Sequence, residues 1–320
     1  MLASRLCRLL IQPTLKLNKR SFIWTCRTED QRPKKPPNFF KDKNLVYVGG
    51  YGCIGYACCQ CLGVQGLKNM VIVDVDNNPK ILSEYNALDK ECSVSFVRLD
   101  LTDGQQAIQK AVNKIEDMMG NVDVLINGSG VINERNPRLG LKTNLVGLVQ
   151  FTLAANKLMS YTQRGKGGVV VNIASILGLE PAPFIALYSA AQHGIIGFTR
   201  AMADEYYYEH TKVAHLAICP GFTETNMLKN FDNTFEYAKP IGDKLMEMKL
   251  QSPYTLAELM LPIIKEAENG SIWIIDNEQV NRIIMEKYWS PKLEMFSRKR
   301  KQKANLQKSE AKSQNAYRNK

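Results

Sequence analysis

Leu45-Val-Tyr-Val48 runs into Gly49-Gly50-Tyr51-Gly52-Cys53-Ile54-Gly55, and this stretch decides how the rest of the chain is read. An apolar run closed by a glycine cluster makes a short buried strand and a tight turn. The residues that follow predict a helix to about Gln65. A second apolar strand, Met70–Val73, comes next and ends at Asp74. Further strands are expected at Ser93–Leu99, Val122–Ile126, Gly168–Ile173, Ala214–Ile218 and Ser271–Ile275, with helical segments between them. Continuous apolar strands alternating with helices imply a parallel sheet covered on both faces. Crossovers of one hand wind such a sheet into a single doubly wound α/β domain. No internal repeat is visible.

Gly50, Gly52 and Gly55 complete a G-x-G-x-x-G motif. Alone the motif is weak. Here it follows a strand, opens a helix, and precedes an acid at the end of the next strand, a context that reads as dinucleotide binding. The first glycine turns the chain, the second admits the pyrophosphate to the backbone, and the third lets helix pack on strand. The helix N-terminus then faces the phosphates. The expected architecture is a Rossmann fold, with a seven-stranded parallel sheet and helices on both faces. Asp74 is placed to accept hydrogen bonds from the adenine-ribose hydroxyls and to repel a 2′-phosphate. Val75, Asp76 and Tyr51 bring no cation to offset that repulsion, so NAD is favoured over NADP.

A second constellation carries the chemistry: Ser175, then Tyr188-Ser-Ala-Ala-Gln192. A Ser followed about a dozen residues later by Tyr-x-x-x-Lys resembles the short-chain dehydrogenase/reductases, and here Gln192 stands at the Lys position. Val124–Gly128, Lys142–Gly147 and Gly270–Asp276 are similar to the insect alcohol dehydrogenase branch of that family. Gly194–Arg200, with Tyr206-Tyr-Tyr208, is similar to the alcohol-dehydrogenase-related proteins. The resemblance spans about Asn44 to Pro291. It implies reversible hydride transfer between NAD and a secondary alcohol or ketone, in a homodimer or homotetramer. Carried over by position, Tyr188 exchanges the proton, Ser175 binds the substrate oxygen and Asn144 supports a water relay. Asp100 and Leu101 resemble the adenine-edge contact, and Asn127 and Gly128 the Asn-Ala-Gly turn. Pro220, Gly221 and Thr225 resemble the loop that meets the nicotinamide amide.

Gln192 lies one helical turn after Tyr188 and faces the same cleft. It can hydrogen-bond a ribose hydroxyl but cannot supply the charge that stabilises a phenolate. Moving a tyrosine from its ordinary pKa of ~10 to ~7 requires roughly 4 kcal/mol. Alcohol oxidation needs the phenolate as base, whereas carbonyl reduction needs the neutral phenol as acid. Surviving activity is therefore expected to be slow, with reduction less impaired.

The net charge of +11 belongs to the ends. Residues 1–43 and 298–320 each carry +8, which leaves −5 on residues 44–297. Basic tails on an acidic domain do not make a specific nucleic-acid surface. Residues 1–43 are Arg-rich, with no acid before Glu29, and read as a mitochondrial targeting segment ending in the proline-rich linker Gln31–Pro37. A disordered basic arm on a cytoplasmic protein is the alternative. The domain spans 44–297, and residues 298–320 form a basic tail too polar for a core. No apolar run reaches transmembrane length.

The eight cysteines show no secreted disulfide spacing, and a reducing compartment fits. Cys58 and Cys61 form a C-x-x-C whose ordinary reading is helix-to-sheet packing, with a redox or metal role as the alternative. His193, His210 and His215 have no metal-ligand spacing, so no metal is expected.

Three functions fit these residues. One is an NAD-dependent dehydrogenase or carbonyl reductase weakened at Gln192. Another is an inactive NAD-binding sensor or scaffold. The third is an interaction protein acting through its tails. The segment from about Asn226 to Pro253 is expected to cover the substrate, whose identity its mixed composition does not reveal.

Overall fold

In a computed structural model the described residues are 39–182, 185–229 and 249–285, with positions 240, 243 and 247. The proposed targeting segment, the proline-rich linker and the tail from Arg298 lie outside them, as does much of the segment after Lys229. The chain divides into two units, Met1–Arg282 and Ile283–Lys320, and the architecture here is that of the first.

The strands are β1 (Asn44–Val48), β2 (Asn69–Asp74), β3 (Ser93–Arg98), β4 (Val124–Asn127), β5 (Gly168–Ile173), β6 (Val213–Pro220), β7 (Ile272–Asp276) and β8 (Gln279–Ile283). They form one sheet in the order β3-β2-β1-β4-β5-β6-β7-β8. The first seven pair in parallel, as the apolar runs imply. The eighth is one more than the sequence predicts. Asn277 and Glu278 join it to β7 with φ of 48° and 64°. Two consecutive left-handed residues make a type I′ turn, which returns the chain antiparallel.

The helices are α1 (Cys53–Gly63), α2 (Pro79–Asn86), α3 (Gln105–Met119), α4 (Pro137–Leu141), α5 (Leu148–Met159), α6 (Ala186–Met202), α7 (Glu205–Thr211), α8 (Asn226–Lys229) and α9 (Pro253–Glu266). Between α4 and α5, Lys142–Gly147 is wound as a π-helix.

β1 shows why both faces are covered. Leu45 and Tyr47 pack with Ala57 and Leu62 of α1 and Met260 of α9. The alternate residues, Val46 and Val48, pack with Ile108 and Val112 of α3 and Phe151 of α5. Each large apolar side chain buried this way stabilises the fold by roughly 1.5–3 kcal/mol. Cys58 belongs to the first layer, its Sγ 3.7 Å from Met260 Sδ, while Cys61 is half-buried. Among the described residues no cluster of three metal-ligating side chains occurs, and no helix is long and apolar enough to cross a membrane.

Candidate active site

Strand order reverses between β1 and β4, so a crevice opens at their carboxyl ends. The glycine loop forms one lip. Its left-handed turn falls on Gly49, with φ of 83°, one residue before the motif begins. A Cβ at Gly49 would stand 2.8 Å from the Ser129 backbone, so the two lips touch there. Gly50 is required for a different reason, since a Cβ would meet Ile72 at 2.8 Å. At Gly55 it would stand 2.1 Å from the Gly49 carbonyl, which is how α1 packs against the loop. Gly52 is the N-cap of α1 and brings no capping side chain, which leaves first-turn amides for an anion.

Asp74 closes β2. Its Oδ2 accepts from the Tyr51 amide at 3.0 Å and its Oδ1 from the Val75 amide at 2.8 Å. The carboxylate is thereby tied to the glycine loop. Asp100 lies two residues past β3 in a local turn, accepting from the Thr102 amide at 2.8 Å, with Leu101 buried beside it. Asn127 lies beneath the lip, its amide donating to Thr152 Oγ1 at 2.9 Å and Asn172 Oδ1 at 2.8 Å.

Ser175, Tyr188, Gln192, Gly128, Pro220, Gly221 and Thr225 come together on one cavity of ≈ 110 Å³. Ile132, Leu177, Ile185, Phe222 and Leu228 complete its apolar walls, and among the described residues no charged side chain lines it. A larger, shallower depression of ≈ 570 Å³ beside Tyr51, Tyr56 and Tyr254 includes neither Ser175 nor Tyr188. Two stretches meet beside the cavity. Gln251 donates to Thr223 Oγ1 at 3.0 Å, and the Gln251 amide to the Phe222 carbonyl at 3.0 Å.

Ser175 caps the short turn Ile176–Gly178, accepting from the Leu177 amide at 3.1 Å. Gly178 presses that turn onto α6, since a Cβ there would lie 2.8 Å from the Gln192 carbonyl. Burial pushes the Tyr188 phenol up to about 12, with a hydrogen bond from Ser175 acting in the opposite, stabilising direction. Cys219, missed by sequence reasoning, lies against the same pair, and burial pushes its thiol up to about 12 as well. Gln192 is 3% exposed and its Oε1 has no hydrogen-bond partner. An orphaned acceptor on the cavity wall fits a ribose hydroxyl, so the residues present suit a nicotinamide dinucleotide.

Asn144 sits in the π-helical segment outside the cavity lining. Its Oδ1 accepts from the Val131 amide at 2.8 Å and its Nδ2 donates to the Val131 carbonyl at 2.7 Å. Both ends of the side chain are thus engaged in holding the loop after β4. Glu134, on the same loop, was not legible as a site residue. Its carboxylate accepts from the Leu187 and Tyr188 amides, each at 2.9 Å.

Comparison with known proteins shows the family to which this fold belongs. Residues 43–236 match the short chain dehydrogenase family. Alcohol dehydrogenase 2 of Ceratitis cosyra is 37% identical over 251 residues, covering 78% of this chain and 97% of that protein. The alcohol dehydrogenase-related 31 kDa protein of Drosophila immigrans is 31% identical over 247 residues, covering 77% and 90%. The structure of NAD+-bound xylitol dehydrogenase superposes with a TM-score of 0.62 at 18% identity, covering 74% of this chain and 98% of that one. The family match spans more than half of the chain and the fold agrees with it, so the chain belongs to the short-chain dehydrogenase family.

Proposed function

We propose that this protein is an NAD(H)-dependent oxidoreductase of small, neutral ketones and secondary alcohols, biased towards reduction. The observation that carries the reading is Tyr188, joined to Ser175 in an uncharged cavity and held neutral by burial. A phenol with a pKa of about 12 already has the form an acid needs. To act as a base near pH 7 it must lose roughly 7 kcal/mol of that preference. The nicotinamide supplies the hydride chemistry when bound. Ser175 holds the carbonyl oxygen, Tyr188 gives it a proton, and Gln192 Oε1 accepts from a ribose hydroxyl. Asp74 selects the unphosphorylated adenosine ribose. Ile132, Ile185 and Phe222 exclude water and favour an apolar substrate. A homodimer or homotetramer is part of the reading.

The test is NADH and NADPH titration by calorimetry, followed by NADH oxidation against a ketone panel. Expected results are NADH binding at least about tenfold tighter than NADPH, slow ketone reduction, and alcohol oxidation that rises only at alkaline pH. Light scattering reads the oligomer. Absence of NADH binding overturns the proposal. The uncharged cavity also favours a second reading, an NAD-binding protein without turnover. Tight NADH binding with no oxidation on any ketone would select it.

A further inference from the structure

We propose that Glu134 is the positioning residue for Tyr188, clamping the first turn of α6 and tying the proton donor to the loop after β4. This rests on reading Tyr188 as the acid. The argument begins with an unfilled cap. Helix α6 starts with Ile185 at its N-cap, and Ile185 has no side-chain acceptor. Its first internal bond runs from the Ser189 amide to the Ile185 carbonyl at 3.0 Å, so the amides of residues 186–188 have no helical partner. An N-cap Ser or Asp would satisfy the second or third of these.

Position 185 is used otherwise. Ile185 is buried with Leu177 and Leu228 in the apolar wall of the cavity. A polar cap there would put a hydrogen-bonding group into the substrate's surroundings. Glu134 fills the role from a distance of 54 residues in sequence, with one carboxylate oxygen on each of the Leu187 and Tyr188 amides. The bonds are charge-assisted, and a negative charge at a helix N-terminus is favourable.

Direction matters as much as strength. Two bonds from one planar carboxylate fix rotation of the helix start as well as its position. Tyr188 is itself one of the two donors, so its Cα is held one bond from the clamp. The other end of the clamp belongs to the loop carrying Gly128 and Ser129, which line the cavity, and Val131, which Asn144 holds. Acid and cavity lip thus share one rigid connection.

The experiment compares wild type with Glu134→Ala and Glu134→Gln, in the full chain. Three readouts are taken: amide hydrogen exchange at residues 186–189 with NADH present, NADH affinity, and steady-state ketone reduction. Glu134→Ala should speed exchange at Leu187 and Tyr188 at least tenfold. It should lower kcat about 10- to 100-fold, as small misplacements do. KM and the NADH Kd should stay within about twofold. Glu134→Gln keeps one acceptor oxygen and should fall between, which also serves if the alanine variant does not fold.

Unchanged exchange in the variants overturns the clamp. A parallel loss of NADH affinity and kcat overturns the positioning role in favour of general loosening. If wild type reduces no ketone, the proposed activity fails by itself and the exchange readout alone decides the clamp.

Discussion

On the proposed reading, Gln192 is the residue on which activity turns. Its buried side chain, with a partnerless Oε1, lines the same cavity as Tyr188, and a cation on that wall would pull the phenol's pKa down. Gln192→Lys is expected to raise alcohol oxidation and move its pH profile towards neutrality, with a smaller gain in reduction. Tyr188→Phe in the same background should remove both gains. Steady-state rates against pH in both directions check this, and an unchanged oxidation profile in a folded, NAD-binding variant would show decay beyond the one position. Asp74 offers a second residue-scale test, because its charge and its loop contact can be separated. Asp74→Asn keeps an acceptor for the Tyr51 amide while removing the repulsion of a 2′-phosphate. NADPH affinity should rise towards that for NADH, read by parallel titrations. These residues were legible in the sequence because spacing from a recognised motif places them. Glu134 was not, because no local pattern marks an acceptor whose donors lie on a distant helix.

At the scale of elements, the strands were legible wherever apolar residues run together. β8 escaped because Gln279-Val-Asn-Arg-Ile283 has no such run and lies at the sheet edge. The π-helical turn escaped because slipping a hydrogen bond from i+4 to i+5 leaves no mark in composition. The doublet Gly49-Gly50 does not say which residue turns left-handed, and Ser129 and Ile72 decide it from elsewhere in the fold. β6 carries a consequence of its own. His215 is 1% exposed with an unpartnered Nδ1, and burial lowers its pKa to about 4. The unfolded chain takes up a proton below about 6.5 while the native state stays neutral, so stability falls with pH between these values. The loss should reach about 2 kcal/mol by pH 5. Urea unfolding at pH 7 and pH 5 should show His215→Leu losing less between the two than wild type. An equal loss would mean that His215 charges in the native state.

For the whole molecule, the charge ledger is the most informative sequence observation. An acidic core domain with basic ends of +8 each was legible at once. The layered core was legible too, since alternate residues of β1 face opposite sides. What sequence did not convey is how completely that core shields its sulfur. Cys58 and Cys59 are 2% and 0% exposed between α1 and the sheet, and burial holds the Cys58 thiol at about 12. A thiol reacts as thiolate, so neither can be alkylated until α1 comes away from the sheet. The protein therefore contains a stopwatch for its own opening. Iodoacetamide labelling of Cys58 and Cys59, followed by peptide mass spectrometry, should proceed at the global unfolding rate when reagent is in excess. Half-buried Cys53 should label before either of them. NADH should slow the core pair by the factor that its binding adds to stability, one plus the ratio of its concentration to its Kd. Cofactor binding could then be timed by two sulfur atoms buried in the core, whether or not the protein turns over a substrate.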